Sequence, residues 1–325
     1  MRHSLILALA AALIGLTPLP TGAQTYPSRT VTVVVPFPAG GSVDGVARIV
    51  VQKLNEVAGQ HFIVENRAGG ASGNVGAASV AKSPPDGYTL LESASVHVIN
   101  PMLYKSVPYD VVNDFTPIIL LADGPLIVST HPSVPANNLK ELFDLVRKDP
   151  QKYTFAATTV GSASHLVMEL LKREAGLDTL VVTYRGTAPA ITDLMAGTTQ
   201  LLADPLLSSL PPALGGKTKG LAITSLKRVP SAPDIPTVEE SAGFKGFEFV
   251  SWYGLWGPKN LPADISKKLQ ADIDKVLAMP DVKERLATLG FEAKGGTAER
   301  FADYVRVEMA KYDKIIKDAK IEVKN

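Results

Sequence analysis

Short β-branched runs alternate with stretches of helical periodicity along almost all of this 325-residue chain, and that alternation restricts it to the α/β class. Val31-Thr32-Val33-Val34-Val35 is nearly all apolar, as a strand buried on both faces must be. Beyond a Pro/Gly-rich turn, Val43, Val46, Ala47, Val50, Val51, Leu54 and Val57 recur at helical spacing, which predicts a helix folded back on that strand. His61 to Val64 reads as the next strand. Gly69 to Gly76 reads as a loop entering a small-residue helix, and Pro84-Pro85-Asp86-Gly87 as a turn before a strand at Tyr88 to Leu91.

A second series of the same kind starts at Leu126-Ile127-Val128. It alternates helices near Leu139 to Lys148, Ser164 to Ala175 and Ala188 to Ala196 with strands at Tyr153 to Ala156, Val181 to Thr183 and Leu201 to Ala203, and ends on a strand at Gly220 to Thr224. After Phe249 to Tyr253 the chain turns helical and amphipathic, with Ile265, Leu269, Ile273 and Val276 on one face. That stretch has no strand series of its own, so it completes the first unit. The expected organisation is residues 24–125 plus 231–325 as one domain and 126–230 as the other, with crossings near 125 and 230. Two crossings place a cleft between the lobes and suit hinge closure.

The N-terminus reads as a secretory leader. Arg2 and His3 precede an apolar run from Leu5 to Leu16, then Pro18, Pro20 and the small-residue stretch Thr21-Gly22-Ala23. The signal peptide is thus residues 1–23, and the mature chain starts near Gln24 and is exported. The apolar run falls short of the roughly 20 residues of a spanning helix. No cysteine follows it to carry a lipid, because the chain has none. The same absence excludes disulfides, thiolate metal sites and cysteine nucleophiles, so stability rests on packing. Lys and Arg total 33 against 32 Asp and Glu, a net charge of +1, without a basic block to attract nucleic acid.

Enzyme signatures are missing. His61, His97, His131 and His165 show no zinc-ligand spacing, and there is no nucleophile elbow, phosphate loop or dinucleotide fingerprint. Neither a metal nor a cofactor is expected. A serine-hydrolase set of Ser162, His165 and Asp204 can be written down, but such a set is defined by geometry.

The strand-to-helix turns read better as anion cradles. Pro36-Phe37-Pro38-Ala39-Gly40-Gly41-Ser42 ends a buried strand and opens a helix, so free backbone N–H groups and the positive helix end face whatever lies beyond. Adjacent glycines let a carboxylate approach the backbone. Structurally, Ser42 would serve as N-cap and Asp44 would complement the helix dipole. Ala157 to His165 brings Thr158, Thr159, Ser162 and Ser164 to a second such link, and Glu92-Ser93-Ala94-Ser95 supplies a third. These hydroxyls and nearby N–H groups are expected to donate to an oxyanion, unless they only cap helices. Arg185 is available for a bidentate carboxylate contact and Asp204 for accepting a hydrogen bond, or each serves a surface or a turn.

At these residues the chain resembles the Bug-type solute receptors of tripartite tricarboxylate transporters. The matching pieces run in one order along the mature chain: Pro36 to Asp44 with Ala47-Arg48, Val64 to Arg67, Asp86 to Leu90, Asn100-Pro101, Gly161-Ser162 with His165-Leu166, Tyr184 to Ala190, Ala222 to Ser225 with Lys227-Arg228, and Pro233 to Val238. The resemblance implies a periplasmic, two-lobed binding protein of type II-like fold that closes on a mono-, di- or tricarboxylate and delivers it to a membrane permease, acting as a monomer. A sensory receptor presenting its closed form to a membrane signalling partner is the alternative. The implied ligand contacts are Phe37, Ala39, Gly40, Gly41, Ser72, Ser93 and Ser95 on the first lobe, and Thr158, Thr159, Ser162, His165, Arg185 and Asp204 on the second. Thr159 stands where relatives usually carry Gly, Arg185 where Lys is common, and Leu202-Ala203 where Met-Phe is usual. These changes alter volume and hydrogen bonding, so a relative's ligand does not transfer.

Overall fold

The computed structural model describes residues 26–58 and 61–321. The expected leader, residues 1–23, lies outside the described residues. The first lobe is built on β1 (Val31–Val35), β2 (Phe62–Asn66) and β3 (Thr89–Ala94), with β1 central and parallel to both neighbours. Helices α1 (Ser42–Ala58), α2 (Asn74–Ala81) and α3 (Val96–Leu103) supply the connections. The predicted first strand has the bounds observed, because four of its five residues are buried and a doubly covered strand leaves little ambiguity.

The two lobes share β4 (Phe115–Thr130), which the sequence revealed only in part. From Phe115 to Pro125 it pairs antiparallel with β9 (Val250–Pro258), which in turn pairs with β3. From Leu126 to Thr130 it pairs with β7 (Leu201–Pro205) and β8 (Lys219–Ile223). Pro117, Asp123, Gly124 and Pro125 break up the β-branched pattern of its first half, so tertiary pairing rather than local propensity makes that half a strand. The remaining strands, β5 (Phe155–Ala157) and β6 (Val181–Thr183), are parallel to each other. The full order is β2-β1-β3-β9-β4-β7-β5-β6, with β8 and the short β10 (Glu292–Ala293) also on β4.

Helices α4 (Leu139–Lys148), α5 (Ala163–Ala175), α6 (Thr187–Met195), α7 (Leu206–Leu214) and α8 (Val238–Ala242) surround the second sheet. The segment after Pro230, expected with the first lobe, runs beside the second as far as Phe249: α8 packs on α4 and β8. There Ser241 Oγ donates to Leu221 O at 2.8 Å and accepts from Leu139 N at 2.8 Å. The crossing strands are tied by Thr224, whose Oγ1 donates to Phe249 O at 2.6 Å and accepts from Leu126 N at 2.8 Å.

The C-terminal helices lie mainly against the first lobe. Helices α9 (Ala263–Ala278) and α10 (Pro280–Thr288) pack on α1, while α11 (Ala298–Ala319) packs on β4, α3 and α5. Trp252, Trp256, Phe301 and Tyr312 form the contact beneath α11, and Trp252 Nε1 donates to Tyr312 Oη at 2.8 Å. Gly254 sits in the same region. A Cβ there would overlap Phe301 Cζ, so the helix approaches as closely as it does because β9 has a glycine at that point.

His97 is fully enclosed on the other side of α3. Its ring stacks on Tyr109 at 5.0 Å and meets Phe115 and Trp256 edge-on at 4.7 and 5.0 Å. Neither ring nitrogen has a partner among the described residues. Burial therefore drives its pKa down to about 3. The folded state refuses a proton that the unfolded chain accepts near pH 6.5, so stability is lost as pH falls below that value. Between pH 7 and pH 5 the expected loss is about 2 kcal/mol. In denaturant titrations the stability difference between wild type and His97→Phe should shift by that amount from pH 7 to pH 5; a difference that stays constant would refute it.

Candidate functional site

The carboxyl ends of β1 and β3 in one lobe face those of β5, β6 and β7 in the other, the position where open α/β sheets bind ligands. A cavity of about 120 Å³ lies between them. The β1–α1 turn contributes Phe37, Pro38, Ala39, Gly41, Ser42, Val43 and Asp44, and the end of β3 contributes Ala94 and Ser95. Thr158, Thr159 and Ser162 come from the β5–α5 link, Arg185 to Pro189 from the β6–α6 link, and Asp204 from β7. A second, outer cavity of about 630 Å³ adjoins it, with Phe37, Pro38, Thr159 and Arg185 on both walls.

Local geometry explains the first-lobe wall. Gly40 adopts φ 87°, a left-handed conformation that turns the chain into α1. Gly45 N makes the first helical bond, to Gly41 O at 2.9 Å, so the N–H groups of Ser42, Val43 and Asp44 lie ahead of the ladder at the positive end of the helix. Asp44 fixes the turn. It accepts from Gly40 N at 3.0 Å, Arg48 Nε at 2.9 Å and Asn66 Nδ2 at 2.9 Å. Burial opposes its charge, yet these donors win and hold its pKa below the usual carboxylate range. Ser42 Oγ, Ser95 Oγ and Tyr253 Oη are buried on this wall, and none has a partner at full hydrogen-bond geometry among the described residues, although the Ser42 and Ser251 hydroxyls stand close beside Tyr253 Oη.

On the second lobe, Ser162 caps α5 by accepting from His165 N at 3.2 Å. Asp204 is 0 % exposed. It accepts from Thr187 Oγ1 at 3.1 Å, Ser208 Oγ at 2.6 Å and Ser209 Oγ at 3.1 Å. Burial outweighs these three hydroxyls and lifts its pKa to about 7. Beneath the first-lobe wall, Glu92 is likewise buried, and desolvation together with nearby Asp44 raises its pKa well above the ordinary value.

The cavity brings together Phe37, Ala39, Gly41, Ser95, Thr158, Thr159, Ser162, Arg185 and Asp204 of the expected contacts. Four others stand elsewhere. Gly40 shapes the turn and its N–H is engaged by Asp44. Ser93 is buried on β3 outside the cavity wall, because alternate strand residues face opposite sides. His165 lies behind its loop, with Nδ1 accepting from Gly161 N at 3.2 Å. Ser72 lines the outer cavity and joins the lobes, its Oγ 2.7 Å from Val160 O and 3.0 Å from Tyr104 Oη. The hydrolase set is not assembled: the ring of His165 bonds neither Ser162 nor Asp204, whose partners are the hydroxyls already named. Sequence reasoning missed Thr187, Ser251 and Tyr253. Thr187 follows a strand end and so was findable, whereas Tyr253 reaches the cavity only through its pairing with Ala94.

Two α/β lobes with strand ends and helix starts facing each other across a cavity define a ligand-capturing binding protein. Comparison with known proteins gives the family: the chain belongs to the tripartite tricarboxylate transporter family receptors, whose family model matches residues 46–321. A curated relative, the UPF0065 protein in the tcbD-tcbE intergenic region of Pseudomonas sp. strain P51, is 38% identical over 311 residues, covering 95% of this chain and 92% of its own. Among solved structures, periplasmic binding protein BugD is 38% identical with a TM-score of 0.86, covering 91% of this chain and 99% of BugD. Rpa4515 of R. palustris, solved with adipate, is 35% identical with a TM-score of 0.88 at the same coverage. The resemblance to Bug-type receptors is thereby confirmed, and with it the two-lobed α/β fold. The family is one of solute-binding receptors, and no helix among the described residues is long and apolar enough to cross a membrane.

Proposed function

We propose that this protein captures a small organic carboxylate between its lobes in the periplasm and delivers it, as a monomer without catalysing any reaction, to the permease of a tripartite transporter. The observation that carries this reading is the first-lobe wall. Backbone N–H groups at the start of α1 and the incompletely partnered hydroxyls of Ser42, Ser95 and Tyr253 converge on one cavity. A buried hydroxyl without a partner is costly, and a carboxylate oxygen satisfies it. Adipate in the related Rpa4515 supports the ligand class. The division into residues 24–125 with 231–325 and 126–230, adjusted so that the segment up to Phe249 moves with the second lobe, gives a hinge at Leu126, Thr224 and Phe249. Closure there is what a ligand contacting both walls would favour.

Isothermal titration of ligand-stripped protein against a panel of mono-, di- and tricarboxylates tests the reading, and failure of every member to bind would sink it. Gly41→Ala sharpens the test. A Cβ at Gly41 meets only Pro38 O, at 3.9 Å, so the variant should fold with wild-type stability. It should bind the carboxylate about ten-fold more weakly, the worth of one hydrogen bond to a charged group. Unchanged affinity would place the anion elsewhere.

A further inference from the structure

Outside the inner cavity the lobes meet at two further places, and each uses a residue that its own lobe gains nothing from. The first is Ser72. Its backbone sits at φ 50° and ψ 38°, a left-handed conformation that is costly for a residue with a side chain. Two first-lobe groups hold it there: Asn100 Nδ2 donates to Ser72 O at 3.0 Å, and Tyr104 Oη bonds Ser72 Oγ at 3.0 Å. So placed, Ser72 Oγ donates to Val160 O of the second lobe at 2.7 Å. A serine has one hydroxyl proton, so Tyr104 is the donor of its own bond. The residue after Val160 is Gly161, at φ 75°, and a Cβ there would overlap Leu103 Cδ1 of α3. A hydrogen bond and an apolar contact thus join the lobes side by side.

The second place is the start of α7. Leu206 and Leu207 are consecutive, yet they serve different lobes. Leu206 is buried in the second lobe with Ile127, Leu210, Ile223 and Ala232, whereas Leu207 packs against the first-lobe core that includes Val43 and Val46. It meets α1 at Gly45, where a Cβ would stand 2.8 Å from Leu207 Cδ2. Gly45 is not one of the left-handed glycines. Its use inside a helix, where glycine lowers stability, therefore answers to space rather than to conformation. The strained serine and the helical glycine both weaken the lobe that carries them, and both are explained once the other lobe is in place. The ion pair of Arg173 with Asp318 also joins the lobes, but at 3.5 Å and half-exposed it contributes little.

We infer that Ser72 and Leu207 are latches that hold the lobes shut before any ligand arrives. Neither lines the inner cavity, so they act on capture as positioning residues, by raising the population of the form in which both walls face one ligand. The inference rests on closure about the hinge at Leu126, Thr224 and Phe249, and not on the chemistry of what is captured.

The chain has no cysteine, so Ile63→Cys with Leu180→Cys gives a clean pair of spin-label sites. Both positions are exposed. Ile63 lies on β2 and Leu180 immediately precedes β6, the two ends of the strand order, one in each lobe. Electron–electron distance measurement on ligand-stripped, otherwise wild-type protein should give one predominant separation. Adding Ser72→Gly and Leu207→Ala should populate a second, because one hydrogen bond and one half-buried leucine each shift the closed-to-open ratio roughly ten-fold, and together roughly a hundred-fold. Leu210→Ala, an equal truncation on the same helix but within the second lobe, should keep the wild-type separation. Gly45→Val blocks the seat of Leu207 while leaving α7 intact, and decides the matter alone should the double variant not fold. Wild-type separation in the double variant or in Gly45→Val, or an equal change in Leu210→Ala, overturns the inference. No ligand enters the measurement, so carboxylate capture stands or falls separately by titration.

Discussion

Relative to wild type, Asp204→Asn should gain stability as pH rises from 4 to 7, while weakening capture of the ligand. The carboxyl is enclosed, and its folded pKa is raised to about 7 by burial. In the unfolded chain an aspartate titrates near 3.9. Folded protein therefore holds a proton that unfolded protein has released, so stability is full below the unfolded pKa and falls as pH rises toward the folded one. A difference of that size between the folded and unfolded carboxyl corresponds to about 4 kcal/mol. Asn keeps the shape and one oxygen acceptor but does not titrate. The comparison must be made variant against wild type at each pH, because His97 contributes the opposite slope from pH 5 to pH 7. Chemical denaturation at several pH values measures it, and a difference that stays flat from pH 4 to pH 7 would show that Asp204 is not the source. Such a group is tolerated in a cleft because a ligand can satisfy it, which is the sense in which sites trade stability for function.

Gly254→Ala should be the most damaging single-methyl change in the first lobe. The added Cβ would overlap Phe301 Cζ, and Phe301 is itself 1% exposed and wedged between Trp252 and Trp256. The ring cannot rotate away into solvent, so α11 must lift from β9 or the strand must bend. Overpacking of this kind costs about 1–3 kcal/mol, and more where the obstacle is rigid. Because α11 also packs on α5 of the second lobe, the loss should extend across both lobes as one lowered unfolding transition. Thermal unfolding followed by tryptophan fluorescence reports on Trp252 and Trp256 directly. Wild-type stability in Gly254→Ala would mean that the helix and strand have slack that the packing does not show.

The sequence and the structure agree most closely where a segment's fate is local. Leu139–Lys148 has the predicted bounds because Leu139, Leu142, Phe143 and Val146 make one buried face and Asn138 caps the start, its side chain accepting from Glu141 N. Val181–Thr183 likewise has the bounds read from three β-branched residues. Helix α7 has no counterpart in the sequence pattern, since Pro211 and Pro212 lie inside it; its packing against β4 and β7 overrides that signal. The first half of β4 is hidden for the same kind of reason.

The α/β class, the two strand-helix series, the Gly-rich turn after Val35 and the hydroxyl-rich turn after Ala157 were legible in the chain alone, because strand and helix periodicity and turn chemistry act over a few residues. The family resemblance lay in the order of those same pieces. Tertiary structure decided which strands meet, and so which side chains share the cavity. Through it Tyr253 stands beside Ala94, Ser93 is turned away, and the Thr187 proton is directed to Asp204. Whether a hydroxyl donates or accepts depends on partners that lie far along the chain, and one residue of strand register is enough to move a side chain to the opposite face.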